Sequence, residues 1–177
     1  MLITVSGPPG SGTTTASARI ASRLALELLP GGEVFRAMAA EREMTLPVFG
    51  VYVAEHPEVD VELDSRLAAR ARKGDVVIES RLAGWIAHTD RLPAVTTWVD
   101  CAPEVRAQRV ADREDKSVEQ AAAENLERQR VERERYLALY GIDMTDLSIY
   151  DLVLDSGRLP ADEIAAQVVH AATLRTW

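Results

Sequence analysis

The chain has 177 residues, 47% hydrophobic and 27% charged, with a formal net charge of −8 at pH 7. This size suits one globular domain that buries about 70% of the surface of its unfolded chain. It has no apolar run long enough to span a bilayer and no secretory leader pattern, and its negative charge disfavours binding to nucleic acid or anionic membranes. We therefore expect a cytoplasmic monomer that binds neither nucleic acid nor membrane.

The first predicted elements surround a glycine-rich segment. Residues 2–6 form an apolar run typical of a buried strand, and residues 14–24 carry Ala16, Ile20 and Leu24 at the spacing of one helix face. Between them lies the sequence GPPGSGTTT, residues 7–15, which resembles the phosphate-binding P-loop pattern G-x-x-x-x-G-K-[ST]. A strand, a glycine loop and a helix in this order predict an anion site at the start of the helix.

The rest of the chain continues the alternation of strands and helices. Strands are predicted over 26–29, 76–79, 94–100 and 150–155, and helices over 34–42, 46–55, 61–73, 104–113, 117–140 and from 160 onward. The apolar strands favour an α/β fold, a parallel sheet of about five strands covered by helices on both faces. Ligands of such folds bind beyond the carboxyl ends of the strands, where Glu79 and Asp100 stand.

Thr13 departs from the P-loop pattern, because a lysine is expected there. Thr14 supplies the hydroxyl that would hold Mg²⁺, and Glu79 is placed like the acidic residue that supports this ion in P-loop enzymes. The pattern alone leaves three interpretations: a working phosphotransferase, a nucleotide binder without chemistry, or a glycine-rich turn that caps a helix.

The excess of arginine is a second indication of phosphate binding, after the glycine loop. Of the 20 basic residues 18 are arginines, and only Lys73 and Lys116 are lysines. An acidic protein that binds polyphosphate must gather positive charge locally, and arginine does so with bidentate geometry. Arg128, Glu132 and Arg135 share one face of the long predicted helix. Their pattern alone equally fits a solvated helix laced with ion pairs.

Five segments together resemble the archaeal-type short branch of the cytidylate kinases. They are GPPGSGTTT, GGEVFRAMA, VVIESRLAGW, RVADREDK and GIDMTDLSIYDLVLDS, in this order over nearly the whole chain. The resemblance implies a single P-loop nucleoside monophosphate kinase domain over 1–177. It also implies an acceptor-binding helical segment at about 33–73, a helical lid at about 113–140, and phosphoryl transfer from ATP to CMP or dCMP.

The resemblance also implies roles for individual residues. The ATP phosphates would be cradled by Gly7, Pro8, Pro9, Gly10, Ser11, Gly12, Thr13, Thr14 and Thr15, with Thr14 and Glu79 at Mg²⁺. The monophosphate would be gripped by Arg36 and Arg81, while Arg128, Glu132 and Arg135 match the lid pattern that contacts both substrates. The adenine side would be bordered by Arg109, Ser156 and Gly157.

The cytosine base needs an acceptor for its N4 amine and a donor for its O2 atom. The acceptor-binding segment offers Asp60, Asp64 and Arg66, and Asp60 and Asp64 share a face if their helix begins early enough. A charged solvated face would explain these residues equally well.

Some members of this branch carry threonine at the lysine position, so Thr13 is compatible with an active kinase. Loss of one well-placed donor costs about 3 kcal/mol, which the lid arginines and Mg²⁺ could offset. We interpret the chain as a working kinase that relies on arginine. The alternatives are another P-loop small-molecule kinase and a non-catalytic ATP sensor.

Overall fold

The computed structural model describes all of residues 1–177. Its strands are Leu2–Ser6 (β1), Glu27–Pro30 (β2), Val76–Glu79 (β3), Val95–Asp100 (β4) and Leu152–Asp155 (β5). Its helices are Thr13–Leu24 (α1), Gly31–Glu41 (α2), Leu46–Glu55 (α3), Pro57–Ala71 (α4), Ala83–Thr89 (α5), Pro103–Glu114 (α6), Val118–Tyr140 (α7) and Ala161–Leu174 (α8).

The five strands form one parallel sheet in the order β2-β3-β1-β4-β5. Strand β1 lies at the centre, where Val5 pairs with Glu79 of β3 and Ser6 with Trp98 of β4. All five residues of β1 are buried, which is why its sequence is mostly apolar and its two polar residues, Thr4 and Ser6, are small. The predicted parallel sheet of about five strands is confirmed.

Helices cover both faces of this sheet. On one face Ile3 and Val5 pack with Ile20 of α1 and Ile164 of α8 in the largest hydrophobic cluster. On the other face a second cluster joins strand residues to α4 and α5, with Leu67 fully buried. A third cluster around Phe49 holds α2, α3 and α4 together beside the sheet. Parallel strands need such cover because neither face is left to water.

The sequence prediction missed α5, a helix of seven residues. Its buried positions Ala83, Gly84 and Ala87 have small side chains or none, so they give little hydrophobic periodicity. Helices α2 and α4 also begin earlier than predicted, at Gly31 and Pro57. Helix α4 begins with Pro57, and proline is favoured in a first helical turn because its missing N–H would have no intrahelical partner there.

None of the helices is both long enough and apolar enough to cross a membrane.

Candidate active site

The predicted site elements meet at the carboxyl edge of the sheet. The chain leaves β1 toward one side of the sheet, to β2 and β3, and then returns to the other side for β4 and β5. The end of β1 is therefore the point at which the direction of winding reverses, where ligands of open parallel sheets bind. The glycine loop follows β1 at this point, flanked by Glu79 at the end of β3 and Asp100 at the end of β4.

The glycine loop ends in the first turn of α1 with its backbone donors free. Gly12 precedes the helix with a φ of 87°, a left-handed conformation that glycine adopts without strain. No side chain caps the helix, and its first turn contains no acidic residue. The unpaired N–H groups and the positive end of the helix dipole favour an anion here.

Thr13 faces inward and is 7% exposed, and its Oγ1 donates a hydrogen bond to Glu79 Oε1 over 2.7 Å. The position expected to hold lysine therefore holds a neutral side chain that is already bound to a carboxylate. Thr14 and Thr15 follow it in the first turn of α1, and both are exposed.

Mg²⁺ fits the residues beside this turn. Thr14 presents an exposed hydroxyl, and Glu79 keeps a second carboxylate oxygen, Oε2, that receives no hydrogen bond. The structure contains no cluster of three or more His, Cys, Asp or Glu side chains placed to hold a metal ion. Mg²⁺ usually needs few protein ligands, because it retains water and binds substrate phosphates.

Arg109 and Ser156 lie together beside the glycine loop, and Gly157 follows Ser156 in the chain. Arg109 Nη1 donates to Ser156 Oγ over 2.9 Å, and Nη2 donates to the Ser156 carbonyl over 2.8 Å. Ser156 Oγ donates in turn to the carbonyl of Ser11 over 2.6 Å. The loop that follows β5 is thus joined to both α6 and the phosphate loop.

A cavity of about 990 Å³ opens between α2, α3, α4, the end of β3 and α7. Its polar lining contains Glu79 and the predicted acceptor and lid residues, which are Arg36, Asp60, Asp64, Arg81, Arg128, Glu132 and Arg135. Arg36 is exposed in the cavity and makes no hydrogen bond or ion pair within the protein. The cavity therefore combines several cations with an apolar wall from α3 and α4.

Glu132 joins two of these arginines. Arg81 Nε donates to Glu132 Oε2 over 2.9 Å, and Arg128 Nε donates to Glu132 Oε1 over 2.8 Å. Glu132 is buried, whereas Arg128 is exposed. Arg81 Nη1 also donates to the carbonyl of Gly7. Arg81 therefore links the phosphate loop to α7.

The end of α7 is held on α4 by two polar contacts. Arg135 forms an ion pair with Asp60 over 3.1 Å, and the Tyr140 hydroxyl donates to Asp64 Oδ2 over 2.8 Å. Burial raises the pKa of Asp64 to about 6, although the hydrogen bond from Tyr140 acts in the opposite direction. Burial also raises the pKa of Asp60, although Arg135 opposes it.

Asp60 and Asp64 both line the cavity, because α4 begins early enough at Pro57 for them to share a face. The third residue that the sequence offered as a base contact, Arg66, does not line the cavity. Its guanidinium donates to Glu41 and Glu62 outside the cavity, so it belongs to the solvated ion pairs that the charge pattern also allowed.

Comparison with known proteins places these residues in a family. The model of the family described as AAA domain matches residues 3–132. The cytidylate kinase of Halobacterium salinarum is 42% identical over 172 residues, and that of Pyrococcus horikoshii is 46% identical over 172 residues. Each of these alignments covers 97% of this chain and 88% of the relative. The chain belongs to the cytidylate kinase family.

Solved structures agree on the fold of this cytidylate kinase family member. An uncharacterized protein from Eubacterium ventriosum superimposes with a TM-score of 0.76 at 15% identity, over 99% of both chains. Shikimate kinase from Acinetobacter baumannii superimposes with a TM-score of 0.59 at 16% identity, over 98% of this chain and 93% of the other. At these identities the likeness concerns the fold alone.

The sequence analysis of this cytidylate kinase family member missed three polar residues, which are Tyr140, Arg106 and Gln129. Tyr140 contacts Asp64, and Arg106 contacts both the phosphate loop and Gln129 of α7. Arg106 lies three residues before Arg109 on the same helix, but in the sequence it resembles any arginine of a charged helix. The sequence signal was the spacing of Arg106 from Ala107, Val110 and Ala111, which places Arg106 on the buried side of α6.

Proposed function

We propose that this enzyme transfers the γ-phosphoryl group of ATP to CMP or dCMP, giving ADP and CDP or dCDP. The observation that carries the proposal is the convergence of four arginines, Arg36, Arg81, Arg128 and Arg135, on one cavity that reaches the end of β3. Arg81 contacts the phosphate loop and therefore stands between the two proposed substrate sites. The names of the relatives support the same substrate pair.

On the donor side, the backbone N–H groups of residues 7–15 would bind the ATP phosphates, and Arg109 with the loop at Ser156 and Gly157 would border the adenosine. Thr14 and Glu79 would hold Mg²⁺, which in kinases neutralises charge on the transferring phosphoryl group. The hydroxyl of Thr13 keeps the Glu79 carboxylate oriented toward α1. These side chains position the phosphates without forming a covalent bond to them.

On the acceptor side, Arg36 and Arg81 would clamp the monophosphate. Arg36 makes no bond to another protein group, so it is available for an anion. Arg128 and Arg135 would approach the transferring phosphoryl group when α7 closes, stabilising its charge and excluding water. Glu132 would set the spacing of Arg81 and Arg128, because it accepts a hydrogen bond from each.

The base would lie against α4, where Asp60 and Asp64 face the cavity. A carboxylate there would accept a hydrogen bond from the N4 amine of cytosine. Uracil carries a carbonyl at this position and would set its lone pairs against the carboxylate. A site built around such a contact can reject the wrong partner by a factor of up to about 10⁴.

The deciding experiment measures kcat/KM with ATP and Mg²⁺ for CMP, dCMP, UMP, AMP and GMP. We expect strong preference for CMP and dCMP over UMP, and little use of AMP or GMP. Equal use of UMP would refute the cytidylate assignment. ATP binding without turnover of any monophosphate would favour the sensor interpretation, and turnover of a different small molecule would favour another kinase.

Substitution of Arg36 tests the proposed binding site for the CMP phosphate. Arg36→Ala should weaken CMP binding by about 1.5–3 kcal/mol, the scale of a hydrogen bond to a charged group, and leave ATP binding nearly intact. The matched control is Arg72→Ala, which removes an exposed arginine that pairs with Asp90 away from the cavity. Equal loss of both ligands in Arg36→Ala would mean that Arg36 does not belong to the acceptor site.

The monomeric state, the cytoplasmic location and the absence of nucleic-acid or membrane partners stay predictions of the sequence.

A further inference from the structure

Arg106 is a buried cation without a carboxylate partner. It lies on α6 and is 4% exposed, yet it forms no ion pair. Instead its guanidinium donates three hydrogen bonds to neutral oxygens. Nε donates to the carbonyl of Cys101 over 3.0 Å, Nη1 to the carbonyl of Pro9 over 3.2 Å, and Nη2 to Gln129 Oε1 over 3.2 Å.

The phosphate loop rests directly on this residue. Gly10 has a φ of +80°, and a Cβ atom added to it would lie 2.9 Å from the Arg106 carbonyl oxygen and 3.1 Å from the Arg106 Cβ. No side chain fits between the loop and α6 at this point. Arg106 therefore lies behind the loop, on the side of the Pro9 carbonyl.

Burial of a charge is costly unless an opposite charge compensates for it. Within the protein alone, hydrogen bonds to neutral oxygens and the charges of Asp100 and Glu104 compensate Arg106 only in part, because burial still lowers its pKa. Arginine nevertheless does not lose its proton in proteins. An anion on the other side of the phosphate loop would supply the missing compensation. The loop itself offers no cation, because Thr13 is neutral and bonded to Glu79. Arg81 also donates to the loop at the Gly7 carbonyl, but its charge is paired with Glu132.

We propose that Arg106 is a positioning residue that supplies the fixed positive charge of the phosphate loop, from behind it, in place of the lysine that Thr13 replaces. It shapes the loop through the carbonyl of Pro9, and it connects the loop to α7 through Gln129. The inference rests on the proposed function in one respect: it takes the polyphosphate of a nucleotide as the anion that residues 7–15 bind.

Equilibrium binding tests this role without requiring turnover. We would titrate ATP with Mg²⁺, adenosine and CMP separately into the wild type and into Arg106→Gln, which keeps an amide donor but removes the charge. We expect ATP binding to weaken by about tenfold to a hundredfold, the effect of losing one charged contact, with adenosine and CMP changed less than about threefold. The dependence of ATP binding on salt should become shallower, because one cation is lost.

Two further variants separate charge from packing. Arg106→Lys keeps the charge and should bind ATP within about fivefold of the wild type. In the Arg106→Gln background, where the positive charge at the loop is missing, Thr13→Lys should raise the ATP affinity about tenfold. In the wild type the same substitution should raise the ATP affinity less than about threefold. Arg72→Gln removes the same formal charge from an exposed ion pair with Asp90 and should leave ATP binding unchanged.

The proposal is overturned if Arg106→Gln binds ATP like the wild type, or if it loses adenosine and CMP as strongly as ATP. Should Arg106→Gln fail to fold, Arg106→Lys decides, and a loss of ATP affinity beyond about fiftyfold in that folded variant refutes the charge role. If the wild type binds ATP but does not phosphorylate CMP, the proposed function fails while the test of Arg106 still stands.

Discussion

Thr13 stands where the P-loop pattern has a lysine, and it bonds a carboxylate of the protein. Its hydroxyl donates to Glu79 at the end of β3, so a lysine introduced there would stand beside a carboxylate. Part of the added charge would pair with Glu79 instead of a phosphate. Thr13→Lys alone should therefore change kcat/KM by less than about tenfold, or about 1.4 kcal/mol.

The measurement is a coupled assay of CMP phosphorylation. Thr89→Lys is the matched control, because it adds the same charge at an exposed position at the end of α5. A rise of several hundredfold in Thr13→Lys from negligible wild-type activity would show that the natural chain is a degraded enzyme.

Asp64 makes the folded protein less stable as the pH rises, which is opposite to the effect of a carboxylate whose pKa is lowered on folding. Burial raises its pKa in the folded protein from 3.8 to about 6, so the folded state binds this proton more tightly than the unfolded chain does. The contribution of Asp64 to stability is therefore fully present below about pH 4 and is lost as the pH rises through about 6. A shift of this size corresponds to about 3 kcal/mol at most.

Asp64→Asn should remove this dependence, since asparagine does not titrate and its carbonyl can still accept from Tyr140. Urea unfolding at about pH 4.5 and about pH 7.5 should show the variant gaining stability relative to the wild type at the higher pH. Asp162→Asn is the control, because Arg19 lowers the pKa of the exposed Asp162 below its usual value of 3.8. Asp162 is therefore ionised at both pH values, and the difference between this variant and the wild type should stay nearly constant. A constant difference between Asp64→Asn and the wild type would contradict the expectation.

Helix α7 is attached to the molecule more by polar contacts than by an apolar face. Its buried residues are Ala121, Asn125, Glu132 and Tyr136, and only Ala121 joins a hydrophobic cluster, with Val110 and Ala111 of α6. An element with few buried apolar contacts opens at low free-energy cost. This composition supports the predicted role of α7 as a lid.

A moving lid should carry its arginines to the reaction. Arg128→Ala should lower kcat much more than it raises the KM for ATP, because the contact would be made mainly in the transition state. Arg130→Ala is the control, since Arg130 pairs with Glu127 and Glu134 on the exposed side of the same helix. Amide hydrogen exchange over residues 117–140 should slow when ATP analogue and CMP bind together, and unchanged exchange would argue against closure.

The elements show where sequence patterns suffice. All five strands were predicted, because each is a short apolar run beside a turn. The helix predicted over 117–140 corresponds to α7, where Gln120 N donates to Ser117 Oγ at the start of the helix. Helix α5 was missed because small buried side chains leave no periodic signal. Local pattern thus predicts an element when its buried side chains are large.

The polar pairs of the site depend on contacts between distant parts of the chain. Tyr140 meets Asp64 across 76 residues, and Arg106 meets Pro9 across 97. No local pattern encodes such distances, so the sequence could nominate Asp64 but not its partner. It also could not separate Arg66, which turns outward, from the two aspartates of the same helix that face the cavity.

At the scale of the molecule, the main hydrophobic core lies on the face of the sheet opposite to α4 and α5. Ile164 of α8 is 1% exposed within the core cluster that contains α1 and β1. Ile164→Ala should destabilise the protein by about 2–5 kcal/mol, through lost burial and the cavity that remains. Thermal unfolding measures this loss, while kcat of the folded fraction should stay near the wild-type value.

Leu174→Ala is the matched control from the same helix, because Leu174 is 73% exposed. Its effect should stay within about 0.5 kcal/mol, as for most surface substitutions. A small effect of Ile164→Ala would mean that α8 is not part of the cooperative core.

The central position of β1 has a consequence for the order in which the protein can form on the ribosome. Its two neighbours in the sheet are Val76–Glu79 and Val95–Asp100, so β1, which is made before either of them, must wait for both. At about 5–20 residues per second, synthesis of those neighbours takes roughly 5–20 seconds more. During this interval an apolar strand with no partner is exposed to chaperones and to other chains. The phosphate loop is thus translated before both strands that flank β1, and it takes its final shape only after they have joined the sheet.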